Sequence, residues 1–494
     1  MLMSTITQSP LYKIACPESI AFFGASNNFS AMGSSILNAI LGDGYEGRIF
    51  PVHPEEKRVM DIEAYPRVGD LPRVPDMAYI VLPTRIVAET LRACGQKGIR
   101  RAVIVTAGFS EVGTEGMARQ EEIKAIARKY HIRFTGPNCI GVVNAHMKLN
   151  ATFIPSTCRP GFIGMASQSG SFITQMFDYL GTRFGRGFST GFSLGNEADI
   201  DMVDCIRYLG ACPNTRAIAL YIESIRRGRA FIEAAREVSR TKPIVAFYVG
   251  GSENGKKACL SHTGSLAGPD RLYDGVFKQS GIIRARSVEE MFDFCYALGA
   301  CPVPKGNRAV IQTHSGGPGA AAADACDRSG IELPALSTVT LEKLGPYVPH
   351  TGSVNNPVDL TYTKNPLDFF QAIPRILLEE EGADSMLVYF LASAAMIRRA
   401  LAGLSVPEEE IDDQVLKIVD EQCASMAALM TSHDKPVLGF SFLTRENQFI
   451  SGLQDKGVPV LPSPERAARA LGALVEYRRL REKLFRSKRN DFVS

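Results

Sequence analysis

The chain has 494 residues, 45% of them apolar and 22% charged, with 55 basic side chains against 52 acidic ones. At about 150 residues per domain this length predicts roughly three domains, and the composition excludes disorder over most of it. The net charge of +3 gives no footprint for nucleic acid or an anionic membrane, and no apolar run approaches the ~20 residues of a membrane span.

The N-terminus reads without a basic segment leading into an apolar block, so no export signal is expected. Eleven cysteines, an odd number without a Cys-x-x-Cys pair, predict neither a disulfide framework nor a metal site. A reducing cytoplasm is the expected compartment.

In chain order, residues 19–23 read as a short apolar strand running into Gly24-Ala25-Ser26, a polar loop and Gly33. A helix is predicted at 34–41, strands at 48–52, 77–82 and 102–106, helices at 88–95 and 120–130, and a strand at 132–135 ending in Gly136-Pro137-Asn138. Buried strands alternating with helices predict a parallel sheet covered on both faces. The stretch 149–161, with Pro155 and Pro160 and little periodicity, reads as a linker.

A second alternating unit has strands at 161–166, 217–222 and 243–249, with helices from Ser171 and at 270–279. Residues 261–268 read as a loop between them. Cys301-Pro302-Val303-Pro304-Lys305-Gly306 predicts a boundary. Beyond it lie strands at 309–313, 385–390 and 436–440, and a helical tail at 464–490 whose Arg and Lys read as a solvated face. The fold class is therefore α/β, with three doubly wound units in tandem at 1–146, 147–302 and 303–494 and no repeat of fixed period.

Three loops share a design in which a strand ends, small residues turn the chain and a helix begins, so that free N–H groups and the helix dipole favour an anion. The first spans Gly24 to Gly33 and is not a Gly-x-Gly-x-x-Gly fingerprint; it fits a nucleotide-like phosphate or a bare tight turn. The second, Ser167-Gln168-Ser169-Gly170, suits a phosphate or an ordinary Ser N-cap. The third runs from His314 to Gly319 and is equally open.

His262 lies among small residues in Ser-His-Thr-Gly-Ser-Leu-Ala-Gly. A lone histidine is more often structural or merely exposed. A neutral imidazole is nevertheless a good nucleophile toward phosphorus when its other ring nitrogen is fixed. Glu223, at the end of a parallel strand, stands where open sheets put site residues; the alternative is a surface carboxylate at a loop start. His53, His131, His146, His314, His350 and His433 lack metal-ligand spacing, and neither a Gly-x-Ser-x-Gly elbow nor a Gly-x-x-x-x-Gly-Lys-Ser/Thr loop occurs.

Eight ordered motifs carry a resemblance. They are Gly24-Ala25-Ser26, the run from Gly47 through Pro51, Val52 and His53 to Pro54, Gly108-Phe109-Ser110-Glu111, Gly136-Pro137-Asn138-Cys139, Ser167-Gln168-Ser169-Gly170, Gly195-Asn196-Glu197-Ala198-Asp199, Ser261-His262-Thr263-Gly264 and Asn356-Pro357-Val358-Asp359. From about Ser19 to about Tyr477 the sequence resembles the α subunit of the ADP-forming (NDP-forming) acyl-CoA synthetases, of the succinyl-CoA synthetase superfamily.

The resemblance implies a Rossmann-like CoA-binding domain followed by two flavodoxin-like ligase domains. It implies a phosphorylated His262 oriented by Glu223, and phosphate held at Ser167, Gln168, Ser169 and Gly170. Gly24, Ala25, Ser26, Gly33, Pro51, Val52, Pro137 and Asn138 are then the expected CoA contacts. It further implies that ADP/ATP and Mg²⁺ sit on an ATP-grasp β subunit, in an αβ hetero-oligomer such as α2β2. The sequence departs from the family pattern at His53, where Asn is usual, at Glu55, where Lys is usual, and at His314, where Asn is usual.

The expected reaction interconverts acyl-CoA, ADP and phosphate with a carboxylic acid, CoA and ATP, through acyl phosphate and phosphohistidine. Two other readings are a non-catalytic CoA-binding regulatory or scaffold protein and an acyl- or carbamoyl-transferring relative without phosphohistidine. Retention of both His262 and Glu223 favours the relay.

Overall fold

The computed structural model describes residues 6–153, 158–263, 268–361, 365–391, 394–404 and 406–490, without the side chains of 260–263, 366 and 487–490. Two compact units emerge, one of 6–181 with 186–286 and one of 182–185 with 287–490. Among the described residues, no helix is long and apolar enough to cross a membrane.

Among the described residues, the first unit holds the small two-stranded sheet of Arg58–Val59 and Ile62–Glu63 and two large sheets. In one, the strand order is Arg48–Val52, Ser19–Phe23, Met77–Ile80, Arg101–Ile104, Arg133–Thr135, all parallel. Ser19–Phe23 and Met77–Ile80 are buried along their whole length, because helices cover both faces of the sheet. The strand order reverses between Ser19–Phe23 and Met77–Ile80, which opens a crevice at their C-terminal ends.

The other sheet runs Ile283–Ala285, Ile244–Tyr248, Ala217–Ile222, Ile163–Ser167, Phe188–Ser193, and ends in the hairpin of Val142–Asn144 and Leu149–Ala151. Its first five strands are parallel and its reversal lies between Ile163–Ser167 and Ala217–Ile222. Val142–Asn144 pairs antiparallel with Phe188–Ser193. Residues 149–151, expected as linker, are thus an edge strand. Three buried residues are too few to show a period, and the Tyr79 hydroxyl holds the strand by donating to the Ala151 carbonyl at 2.7 Å.

In the second unit the order is Val358–Asp359, Ala309–Thr313, Ser385–Tyr389, Val437–Phe440, Val460–Leu461, again parallel with the same reversal. The helix Val288–Ala300 belongs to this unit. Tyr296 stacks on Phe184, and Asp293 takes a two-pronged ion pair from Arg466 of the helix Pro464–Asn490 (Nε–Oδ2 2.6 Å, Nη2–Oδ1 2.7 Å). The chain is α/β, built on three doubly wound sheets, as the alternation of the sequence predicts.

Candidate active site

The Gly24 loop leaves the reversal of the first sheet and leads into the helix Met32–Gly42. Gly24 has φ +94°, and a Cβ on Gly33 would stand 2.1 Å from the Gly24 carbonyl oxygen, so helix and turn meet backbone to backbone. The Ser34 hydroxyl donates to the Ser26 carbonyl at 2.8 Å and accepts from the Ser26 N–H at 3.0 Å. This lock shapes the loop. Ala25 is buried beneath it.

Pro51 and Val52 close the neighbouring strand Arg48–Val52. Just beyond, His53 Nδ1 accepts from the N–H groups of Glu55 (3.3 Å) and Glu56 (3.0 Å), the job an Asn carbonyl does in an Asx turn. His53 thus supplies the side-chain acceptor of that turn. Glu56 in turn accepts from Asn27 Nδ2 at 2.6 Å and from its backbone N–H at 3.1 Å, joining the two loops.

Pro137 follows a cis peptide bond, and Asn138 adopts φ +58° with its N–H donating to the Thr106 carbonyl at 2.9 Å. A cleft of about 400 Å³ lies here. Leu82, Thr106, Asn138 and Ile140 line it from the first sheet, and Gln168 and Ser171 from the second. An elongated ligand seated on the Gly24 loop at the reversal of the first sheet therefore has a path to the helix start of the second.

That helix start is Gly170, opening Gly170–Phe184 after the strand Ile163–Ser167. A Cβ on Gly170 would meet Ile140 Cγ1 at 2.5 Å, so only glycine lets the helix tip close on the cleft wall. The four residues of the turn do different work. The Ser167 hydroxyl donates to the Ser169 carbonyl at 2.6 Å. The Gln168 side chain makes four hydrogen bonds: Nε2 donates to Glu197 Oε2 (2.7 Å) and the Ser224 carbonyl (2.8 Å), and Oε1 accepts from the N–H groups of Glu223 (2.6 Å) and Ser224 (3.0 Å). The hydroxyls of Ser169 and Ser171 lie 3.5 Å apart at the first turn, where N–H groups have no intrahelical partner.

Glu223 follows the strand Ala217–Ile222 on the other side of the same reversal and is 2% exposed. Gln168 thus spans the crevice from one strand end to the other. The helix Glu253–Thr263 lies close by. Burial first, and the Glu223 charge with it, push the Cys259 thiol upward, and Cys259 sits on that helix one turn before His262.

Residues 261–263, expected as loop, continue this helix, because Lys256, Lys257, Ala258 and Leu260 are good helix formers. The side chain of His262 and residues 264–267 lie outside the described residues.

The motif Gly195-Asn196-Glu197 contributes two groups whose roles its spacing did not reveal. Asn196 Nδ2 donates to Glu111 Oε2 (2.5 Å) and Gln120 Oε1 (3.2 Å), and its carbonyl accepts from Asn138 Nδ2 at 3.3 Å. Glu197 has a side chain only 3% exposed, φ +49° and a carboxyl that burial lifts to about 7. Asp199, two residues on, ties the motif to the first sheet through Arg133 (2.8 Å) and the Phe134 N–H (2.9 Å). The sequence marks this cluster through the Gly195-to-Asp199 motif, which assigns no role to its side chains.

In the second unit, His314 and Ser315 follow the strand end at the reversal of the third sheet, before the helix Gly316–Arg328. The His314 ring lies 13° from parallel on Phe369 with centroids 3.6 Å apart, and burial lowers its pKa to about 4.

Comparison with known proteins adds to this geometry. Residues 18–145 match the family model of a CoA binding domain, and residues 160–298 that of the succinyl-CoA ligase like flavodoxin domain. The sequence is 37% identical over 461 residues to the α subunit of acetate–CoA ligase [ADP-forming] II of Pyrococcus furiosus, covering 93% of this chain and 96% of that one. It is 36% identical over 472 residues to the α subunit of isoenzyme I from the same organism, covering 94% and 97%. Among solved structures, the dinucleotide-forming acetyl-coenzyme A synthetase 1 of Ca. Korarchaeum cryptofilum, in complex with phosphate and ADP, superposes with a TM-score of 0.85 at 32% identity, over 97% of this chain and 98% of that one.

Proposed function

Since the chain belongs to the family of ADP-forming acyl-CoA synthetases, on the α-subunit side, we propose that it carries their phosphoryl relay on His262 with Glu223 as its orienting carboxylate. The chain is an acid–CoA ligase component that interconverts acyl-CoA, ADP and phosphate with carboxylic acid, CoA and ATP. CoA is its substrate. The observation that carries the site reading is the Gln168 amide, which binds the phosphate-type helix start to the Glu223 turn across the reversal of the second sheet.

In this reading CoA lies on Gly24, Ala25, Ser26 and Gly33, with Pro51, Val52, Pro137 and Asn138 along its path. The backbone contact between Gly24 and Gly33, which a single Cβ would fill, and the cleft leading to Ser171 fit such a ligand. Phosphate rests at the N–H groups and hydroxyls of Ser169 and Gly170, while Ser167 and Gln168 shape the turn. A phosphate oxygen attacks the thioester carbonyl, the C–S bond breaks, and the CoA thiolate leaves and takes up a proton.

The neutral His262 nitrogen then attacks phosphorus in the acyl phosphate, the P–O bond to the acyl group breaks, and the carboxylate departs. Helix-end N–H groups suit the charge that develops on the phosphoryl oxygens.

The chain works as one subunit of a larger enzyme, as its α-subunit relatives do. We assign the ADP/ATP and Mg²⁺ site to an ATP-grasp β subunit in an assembly such as α2β2. We assign residues 1–146 to CoA, 147–302 to the phosphohistidine and 303–494 to the second flavodoxin-like ligase part, although Val142–Asn144 pairs into the second sheet and the helix Val288–Ala300 belongs to the second unit. The cytoplasm is the compartment that suits eleven free cysteines.

Incubation with acetyl-CoA and radiolabelled phosphate tests the relay. The wild type takes up acid-labile, base-stable label, and His262→Ala takes up none while still binding CoA. Equal labelling of the two would overturn it.

A further inference from the structure

Glu197 takes no part in the relay just described, yet it bears two costs at once. Its carboxylate is buried, and its backbone holds a left-handed conformation that a residue with a Cβ adopts at a penalty. The first is met by specific partners. Oε1 accepts from the Met202 N–H at 3.0 Å and Oε2 from Gln168 Nε2 at 2.7 Å, while the Arg226 Nε stands 4.0 Å from Oε2. The Met202 N–H opens the helix Met202–Ala211, whose N-terminus favours a negative charge.

The consequence lies in Gln168. The Gln168 amide has one satisfiable sense: NH₂ toward Glu197 and the Ser224 carbonyl, C=O toward the N–H groups of Glu223 and Ser224. Reversed, it would set NH₂ against two N–H donors and its oxygen against a carboxylate and a carbonyl. Glu197 therefore adds the fourth hydrogen bond to an amide whose sense the Glu223–Ser224 backbone already matches, anchoring Gln168 from the far side, and Gln168 ties the backbone of Glu223 to the strand end before Gly170.

We propose that Glu197 is a positioning residue for phosphoryl transfer, acting through the Gln168 amide to hold the Glu223–Ser224 turn in the place from which Glu223 orients His262. This inference rests on the relay reading above. An amide cannot replace the carboxylate without conflict, since both Glu197 oxygens face N–H donors. Gln at 197 must turn its NH₂ on either Met202 N–H or Gln168 Nε2.

The test measures the rate of acid-labile labelling of the full chain from acetyl-CoA and [³²P]phosphate, alongside calorimetric CoA binding and thermal melting, for the wild type and E197Q, E223Q, E197Q/E223Q and H262A. E197Q slows labelling by about 10²-fold, the loss that a misplacement of about 1 Å brings, while the Kd for CoA changes less than twofold. Because Glu197 acts only through Glu223, the double variant labels within about threefold of E223Q alone, whereas independent effects would multiply.

Labelling of E197Q at the wild-type rate, or a double variant slowed by the product of the single effects, overturns the inference. If E197Q fails to fold, the same cycle run with E197D, which keeps the charge but is one methylene short, decides the question on the same criterion. A wild type without label, or a labelled H262A, would instead refute the relay.

Discussion

Asn196 Nδ2 donates to Glu111 Oε2 at 2.5 Å, so one amide fastens the loop of the first sheet to the turn that presents Glu197 from the second. Glu111 also accepts from the N–H groups of Gly108 (2.5 Å) and Phe109 (3.1 Å). Burial alone would raise its pKa. The Asn196 and backbone hydrogen bonds outweigh burial and hold it below the usual carboxylate range.

Asn196→Asp keeps the shape and replaces the donor with a second carboxylate. At pH 7–8 the variant loses about 2–4 kcal/mol of stability, from the lost charged hydrogen bond and the like-charge contact. One of the two carboxyls then has a folded-state pKa raised above its unfolded value, so the deficit shrinks as the pH falls below about 6. Urea unfolding of both proteins at pH 8 and pH 5.5 reads the difference. A deficit independent of pH would contradict the argument.

Gly33→Ala places a methyl 2.1 Å from the Gly24 carbonyl oxygen, and backbone cannot move aside as a side chain can. About 1–3 kcal/mol of overpacking follows. The deformation falls on the loop assigned to CoA, so calorimetric CoA binding weakens at least tenfold, whereas Gly42→Ala, with open space around the new methyl, binds as the wild type does. Equal affinities would remove CoA from this loop.

In the second unit the Asp293 carboxylate is 2% exposed and its partner is the Arg466 guanidinium. Arg466→Met leaves a buried charge alone and costs about 3–5 kcal/mol, while adding Asp293→Leu restores most of the loss, because the desolvation penalty disappears with the charge. Chemical denaturation of the two variants measures this. A double variant no more stable than the single one would point to packing instead.

His314 supplies a pH dependence of its own. Its folded-state pKa of about 4 lies below its ordinary value of 6.5, so its share of stability is present in full above about pH 6.5 and is lost as the pH falls toward 4. Between pH 7 and pH 5 the loss is about 2 kcal/mol. His314→Gln does not titrate, and its unfolding free energy falls by that much less over the same interval. Parallel pH profiles for the two proteins would refute the assignment.

The predicted strands were legible because each carries a short apolar run in a sheet covered on both faces, as Ser19–Phe23 and Ala309–Thr313 show, whereas Phe188–Ser193, with Ser, Thr and Gly between its phenylalanines, carries none and was not. The turn at Ser167-Gln168-Ser169-Gly170 was legible as a place where a strand yields to a helix. What its residues do was not. The Gln168 amide is set by Glu197, 29 residues on, and by a backbone turn 55 and 56 residues on, and no local pattern encodes those distances. The helix Val288–Ala300 shows the same limit: alternation reads alike on either side of it, and its Asp293 ion pair with Arg466 reveals which core it joins.

The hairpin of Val142–Asn144 and Leu149–Ala151 carries chain that has just left the first sheet onto the rim of the second. Those two folds are therefore dovetailed and not merely strung together. Severing the backbone near residue 146 would part the two strands of that hairpin, stripping the second sheet of Val142–Asn144 and leaving the other fragment trailing it as a sticky β-arm, an open invitation to edge-to-edge aggregation. A cut or graft in this part of the molecule keeps the second sheet whole only if it falls ahead of that joint.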